Sequence, residues 1–383
     1  MISIILLVFV CLLIFLYAVD FFHYLINRFC RYHIGRMNVS EWEEAVYKKA
    51  LKWKKHPPIV KKSDNSRYIF IDIITGNYKS DSIQAFQTAA LLLGIEEMDE
   101  EDISSLFLDN NKWKKKPTKP DVAMLAYAIL KSADNPMSIK SSMDEVYSLL
   151  QNSTDEMGII SYTGDKTNTA RYVDALGMVC PFLVKYGIDY NIPDAIKQAY
   201  EQLCFFYKFG MYPGTVLPNH AVHIHSKLPL GVYGWGRGTG WYVIGLLDTY
   251  NEMPACEYKD SIEKMILEAA ECYKVFQYSD GGFGCILPRD NRYDSSVTAV
   301  MAWFYLECSD IFNNQEYETI AIKALEKLRS VTRRNGAIDW SQGDTKEIGV
   351  FSQTFDIMPF TQGFALRAIA LTRRKKNERT QQN

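Results

Sequence analysis

The pattern that most restricts the fold is a series of helix-length apolar segments, every second one apolar on nearly all sides. Apolar residues recur at helical spacing near 41–54, 83–93, 121–132, 141–150, 172–187, 193–208, 241–251, 261–277, 296–308, 315–330 and 361–371. The first follows Ser40-Glu-Trp-Glu-Glu44, a capping start with acidic residues in its opening turn. Few segments show the alternation of a strand. Six openings share one design, polar or small residues followed by a dense apolar run: Ser80-Asp81-Ser82, Lys119-Pro120-Asp121, Arg171-Tyr172-Val173-Asp174, Gly238-Thr239-Gly240, Asp294-Ser295-Ser296 and Phe360-Thr361-Gln362-Gly363. Such residues are ordinary caps, but a helix apolar on every side must be buried. Successive openings from Asp121 to Gln362 lie 53 to 66 residues apart, enough for a helix pair with its loops. The chain is therefore expected to be all-α, an (α/α)6 toroid or six-hairpin barrel over residues 39–373, with a polar tail at 374–383. All inner N-termini then face one end, and a site is expected there.

One segment stands outside this series. Residues Ile2–Val19 are apolar and uncharged, roughly 27 Å long as a helix. A cleaved signal peptide has a basic start, a shorter apolar core and a small-x-small cleavage site; none is clear here, so residues 1–19 read as an uncleaved transmembrane anchor. Residues 20–38 then form a juxtamembrane connector. Arg28, Arg31 and Arg36 follow the anchor while only Met1 precedes it, which predicts a single-pass membrane protein with its large domain on the cytoplasmic side.

At 383 residues with 48% hydrophobic composition the chain can bury a large core. Its net charge of −2 lacks the basic excess of a nucleic-acid binder. The eight cysteines show no CxxC or framework spacing, and Cys180, Cys204, Cys272 and Cys308 fall in apolar helical stretches, as reduced core thiols do.

The segment most suggestive of chemistry is Gly234-Trp235-Gly236-Arg237-Gly238-Thr239-Gly240-Trp241, which leads into an apolar helix. Glycines at every second position let backbone approach a ligand closely. Indole faces suit the apolar face of a sugar, and a guanidinium forks onto a carboxylate. The combination reads as an acidic-sugar site at a helix N-terminus. His220-Ala-Val-His223-Ile-His225 has spacing that a metal could use, but no HExxH and no acidic ligand accompany it. No metal and no cofactor are expected.

Four segments in order resemble the unsaturated glucuronyl and rhamnogalacturonyl hydrolases, glycoside hydrolase families 88 and 105. Tyr172-Val-Asp174-Ala-Leu-Gly-Met-Val-Cys-Pro-Phe182 is similar to their W-x-D-x-x-x-M-x-x-P-F, and Trp235-Gly-Arg237-Gly-Thr-Gly-Trp241 to W-G-R-G-N-G-W. Asp280-Gly-Gly-Phe283 with Asp294-Ser-Ser-Val-Thr-Ala299 resembles D-G-x-W followed by E-T-S-x-T-A, and Pro359-Phe-Thr-Gln362-Gly363 resembles P-x-x-Q-G. The resemblance implies hydrolysis of an acidic oligosaccharide ending in a 4,5-unsaturated uronic acid. An aspartic acid protonates C4 of the enol ether, water adds at C5 and the hemiketal opens, so no pair of carboxylates need flank the glycosidic bond. It places the acid/base at Asp174 and a second aspartate at Asp121, with Trp235, Arg237, Trp241 and His220 toward the substrate. His223 and His225 are the alternative registers for that histidine.

Two aspartates make physical sense. A helix N-terminus keeps a carboxylate ionised, whereas a general acid must hold its proton near neutrality; burial and a neighbouring carboxylate restore the higher pKa. The chain departs from the family pattern at Thr239 (commonly asparagine), at Leu176-Gly177, and at Gly158-Ile-Ile-Ser161-Tyr162, where the rhamnogalacturonyl branch carries a histidine. These leave the leaving sugar open. Two other activities fit the same features: a polysaccharide lyase on the same toroid, using a tyrosine or histidine base, and a non-catalytic acidic-glycan-binding protein of a surface-polysaccharide pathway.

Overall fold

A computed structural model of the chain describes residues 2–58, 85–99, 102–289 and 292–382. Residues Ile2–Arg31 form one continuous helix, α1. Its most apolar 18-residue window has a mean hydropathy of 3.2, long and apolar enough to cross a membrane, and residues 2–15 are exposed. The helix does not stop at residue 19 but runs through most of the 20–38 stretch.

Eleven α-helices of at least eleven residues follow among the described residues: α2 (Val39–Lys55), α3 (Ala85–Asp99), α4 (Val122–Ser132), α5 (Lys140–Asn152), α6 (Asp174–Asp189), α7 (Pro193–Phe209), α8 (Gly236–Glu252), α9 (Glu257–Tyr273), α10 (Ser295–Ile311), α11 (Gln315–Ser330) and α12 (Pro359–Gln382). The cap of α2 lies upstream of Ser40. Asn38 Oδ1 accepts the Glu41 N–H at 2.9 Å, and the Glu41 carboxylate accepts the Asn38 N–H at 3.1 Å, a capping box. The opening Ser80-Asp81-Ser82 lies outside the described residues.

The apolar helices α3, α4, α6, α8, α10 and α12 pack in that order, and α12 returns against α3 to close a ring. Every residue of α8 from Gly236 to Thr249 is buried, as expected for a helix apolar on all sides. The amphipathic helices α2, α5, α7, α9 and α11 cover the outside. Between α3 and α4 the described residues hold only the turn Ser104–Phe107 and the hairpin β1 (Leu108–Asp109) with β2 (Lys112–Trp113). The ring closes at a seam of two glycines. A Cβ on Gly363 would stand 2.0 Å from the Ala90 carbonyl oxygen, and one on Gly94 would stand 2.3 Å from that of Gly363, so α3 and α12 touch backbone to backbone.

Charges occupy the half of the ring away from the inner N-termini. Arg367 of α12, 1% exposed, donates to both Asp248 carboxylate oxygens at 2.6 and 2.9 Å and to Glu97 at 2.8 Å. Its guanidinium stacks over Trp303 at 4.0 Å. The polar end at 374–382 continues α12 and is pinned to the outer helix α11 by Arg379–Glu318 at 2.9 Å and to the end of the inner helix α10 by Lys375–Asp310 at 2.6 Å.

Short strands stand at the other end. β3 (Ala170–Tyr172) pairs antiparallel with β4 (Ala221–His223), which pairs with β5 (Pro229–Leu230), and β6 (Ser341–Gln342) pairs with β7 (Phe355–Asp356). Strands of two or three residues carry no periodic signal, so only tertiary pairing defines them.

Candidate active site

The loops that enter α4, α6, α8, α10 and α12 meet at one end of the toroid, and Asp174, the first residue of α6, lies among them. The β3–β4 register places its neighbour. Tyr172 stands opposite Ala221, and the Val173 N–H donates to the His220 carbonyl at 3.0 Å, which brings the imidazole to Asp174. His220 Nε2 is 3.9 Å from Asp174 Oδ2. That is too long for a direct hydrogen bond and leaves the pair room to close on a ligand.

His220 Nδ1 accepts the Gly349 N–H at 3.2 Å, so the ring carries its proton on Nε2, facing the carboxyl. Burial, and then the charge of Arg237, lower its pKa to about 4, which keeps it neutral. Trp235 and Phe351 enclose the ring at 4.7 and 5.6 Å between centroids. Gly231, at φ +90°, passes under it where a Cβ would come within 2.8 Å of the His220 Cβ. Of the three clustered histidines, His220 alone turns to Asp174; His223 Nδ1 instead takes the Ser226 N–H at 3.1 Å.

Burial pushes the Asp174 carboxyl up to about 7, the Asp344 carboxylate adds to the rise, and Arg237 opposes it. The like charge acting on Asp174 is therefore Asp344, not Asp121. Asp121 immediately precedes α4, and burial raises its own pKa while Lys119 opposes. Both sequence-predicted aspartates act on Tyr162, whose hydroxyl is held well above its usual pKa by burial and then by Asp174, Asp121 and Asp344. Tyr162 packs on Tyr172 at 5.6 Å, and Tyr172 on His220 at 5.8 Å.

Arg237 is 1% exposed and its fork is already engaged. Nη1 donates to the Gln342 carbonyl at 2.5 Å and Nη2 to that of Gly343 at 2.8 Å, with Asp344 Oδ1 3.8 Å away. The expected fork onto a substrate carboxylate is thus turned onto backbone, and the guanidinium holds the 342–344 turn while charging the site. The turn is also tied to two inner helices. The Gln342 N–H donates to Asp294 Oδ1 at 3.0 Å, the acceptor that caps α10, and Gln342 Oε1 accepts the Trp235 indole N–H at 3.3 Å. Trp235, also 1% exposed, packs its ring between this turn and His220. Trp241, expected toward substrate, is core instead: it is 1% exposed between Phe86 and Phe360, against Gly177.

Asp344, Gln342, Tyr162 and Phe351 were not singled out as site residues from sequence. Three come from irregular loops and Gln342 from a two-residue strand, where spacing carries no signal; only the departure at Gly158–Tyr162 marked one of them. The closing Gln362-Gly363 motif proves architectural. Gln362 Oε1 accepts the Ile338 N–H at 3.1 Å and its Nε2 donates to the Val46 and Gly336 carbonyls at 2.8 and 2.9 Å, while Gly363 makes the seam.

A desolvated carboxyl, a neutral imidazole and an aromatic wall thus meet at the inner N-termini of a helical toroid. The sequence profile of glycosyl hydrolase family 88 matches residues 120–370. This chain belongs to that family and is a glycoside hydrolase. Solved structures agree on the fold. A possible member of family GH105 from Salmonella enterica superposes with a TM-score of 0.73 at 15% identity, over 89% of this chain and 95% of that one. An unsaturated glucuronyl hydrolase from Bacillus sp. GL1, responsible for the degradation of glycosaminoglycan, gives 0.63 at 15% over 87% and 95%. A polysaccharide lyase gives 0.62 at 13% over 88% and 98%. No curated protein matches the chain.

Proposed function

We propose that the protein hydrolyses oligosaccharides ending in a 4,5-unsaturated uronic acid, with Asp174 as proton donor. The observation that carries this reading is a carboxyl at the mouth of the ring, its side chain only 14% exposed, that faces a neutral imidazole and whose pKa burial pushes up to about 7. Asp174 delivers its proton to C4 as the C4–C5 π bond opens, and the oxygen of a water bonds to the resulting cation at C5. The proton lost by that water returns to the carboxylate. The C5 hemiketal then opens its ring, and the hemiacetal left at C1 releases the leaving sugar. His220 Nε2–H orients the carboxyl, Arg237 supplies positive potential for the acidic ring, and Asp121 positions the sugar.

A lyase would need an unprotonated base. The hydroxyls of Tyr162 and Tyr172 are held above their ordinary pKa, first by burial, and His220 offers an N–H rather than a lone pair, so these groups favour the hydrolase. The test is a panel of lyase-generated unsaturated disaccharides. The expected result is loss of the enol-ether absorbance with release of the second sugar. A gain of absorbance from an intact uronide would establish a lyase, and binding without turnover a non-catalytic glycan binder.

We further infer that α1 anchors the enzyme in a membrane with the toroid on the cytoplasmic side, on the strength of its exposed apolar run and the arginines that follow. Protease added to intact cells should leave the toroid whole and cut it after lysis. Cleavage in intact cells, or a mature chain beginning after residue 19, would reverse that topology.

A further inference from the structure

The last turn of α1 does not merely lead into the domain. It docks on the loop that walls the site. Arg31 Nε donates to Asp339 Oδ2 at 2.5 Å and its Nη2 to Oδ1 at 2.9 Å, and Nη2 also reaches the Phe355 carbonyl at 3.3 Å. Asp339 is fully buried and receives a second guanidinium, Arg333 Nε, at 2.6 Å. Arg333 in turn donates to Asp356 at 2.6 Å and to Asn27 of α1 at 3.4 Å. The backbone seats the same joint. The Gly35 N–H donates to the Thr332 carbonyl at 3.0 Å, and Gly35 takes φ +72° where any Cβ would strike Ser330. Burial works against an ionised Asp339, but Arg31 and Arg333 together hold it below its ordinary pKa.

From Asp339 the chain enters the site within three residues. Trp340 sits at φ +68°, a left-handed backbone that costs a tryptophan energy, with its N–H on Asp339 Oδ1 at 2.8 Å and its ring 5.7 Å under the Arg31 guanidinium. Ser341 and Gln342 form β6, and the Gln342 and Gly343 carbonyls take Arg237. One carboxylate thus receives α1 on one side and fixes the strained turn into the site wall on the other. Arg333 alone could neutralise Asp339. The second guanidinium adds a tie to a different element.

We propose that Arg31 is a positioning residue, and that the last turn of α1 is a built part of the active site that holds residues 339–344 in place. The catalytic arm of this inference rests on the hydrolase reading; the structural arm does not. The test uses full-length protein in detergent, with Arg31→Gln, which loses the charge and the fork, and Arg31→Lys, which keeps the charge. Loss of one charged, bidentate contact should lower kcat/KM about ten- to hundredfold in Arg31→Gln, chiefly through kcat, with partial recovery in Arg31→Lys. Hydrogen exchange in peptides spanning 338–344 should quicken about tenfold or more, while α6 and α8 keep their protection.

Unchanged exchange in that loop would overturn the inference. So would unchanged kcat/KM with the loop loosened, or protection lost throughout the toroid. If the unaltered protein turns over no unsaturated disaccharide, the hydrolase reading fails, and the exchange arm alone decides whether Arg31 holds the loop.

Discussion

Asp174→Asn is expected to lower turnover of an unsaturated disaccharide by about 10²–10⁴ while leaving the fold intact and making it more stable at pH 8. The amide keeps the size of the carboxyl but has no proton to deliver to C4. Stability moves the other way because the carboxyl is held protonated to about pH 7 in the folded chain. An unfolded chain ionises it near the ordinary value, so between these two pH values the unfolded state binds fewer protons and folding loses stability as pH rises. The loss is complete above about 7 and amounts to about 4 kcal/mol at most. Asparagine removes that penalty. Denaturant midpoints of both proteins at pH 4 and pH 8 should therefore diverge only at pH 8. Activity of the unaltered enzyme should fall as pH rises through about 7, where the acid form disappears. Near-normal turnover by the variant would end the proposed mechanism.

A comparably large effect is expected far from the chemistry. Asp248→Ala should destabilise the toroid by about 3–5 kcal/mol, because it leaves the buried Arg367 guanidinium with Glu97 as its remaining carboxylate. Replacing both partners by apolar residues, Asp248→Leu with Arg367→Met, should recover part of that loss, since the pair's attraction mainly offsets its own desolvation while Glu97 keeps Lys131 at 3.4 Å as its cation. Denaturant unfolding of the three proteins checks this. A double variant as weak as the single one would mean that the charges, rather than the space they fill, hold that half of the ring.

How much of this was legible before folding depends on where the signal resides. The inner helices announce themselves because a helix such as 236–249, buried on all sides, is apolar on nearly every face, with Arg237 and Asp248 its only charges. Asp174 is readable because it opens such a helix within a recognisable segment. Reading fails where a residue's partner is remote. Arg237 looks free in sequence, yet its acceptors are carbonyls more than a hundred residues away, which no side-chain pattern encodes. Trp241 looks like a stacking platform until Phe86 and Phe360 close over it. The family resemblance points to Asp121 as the like charge near Asp174; Asp344, from an irregular loop, supplies it. Gln362 and Gly363 belong to a family segment, and that signal does not distinguish a residue that touches substrate from one that joins helices.

The glycine seam has a consequence for how the molecule comes to exist. Gly94 and Gly363 meet backbone to backbone, although they lie 269 positions apart in a chain of 383 residues. Synthesis runs from the N-terminus, so α12 is the last inner helix to leave the ribosome, and until then the apolar flank of α3 has no lid. The ring is therefore an arc for most of its own translation, with α1 long since emerged and one greasy edge open to water. Contacts of such long range close slowly. For this chain the hazardous interval is the wait before its two ends meet, when an open arc can find the edge of another copy sooner than its own.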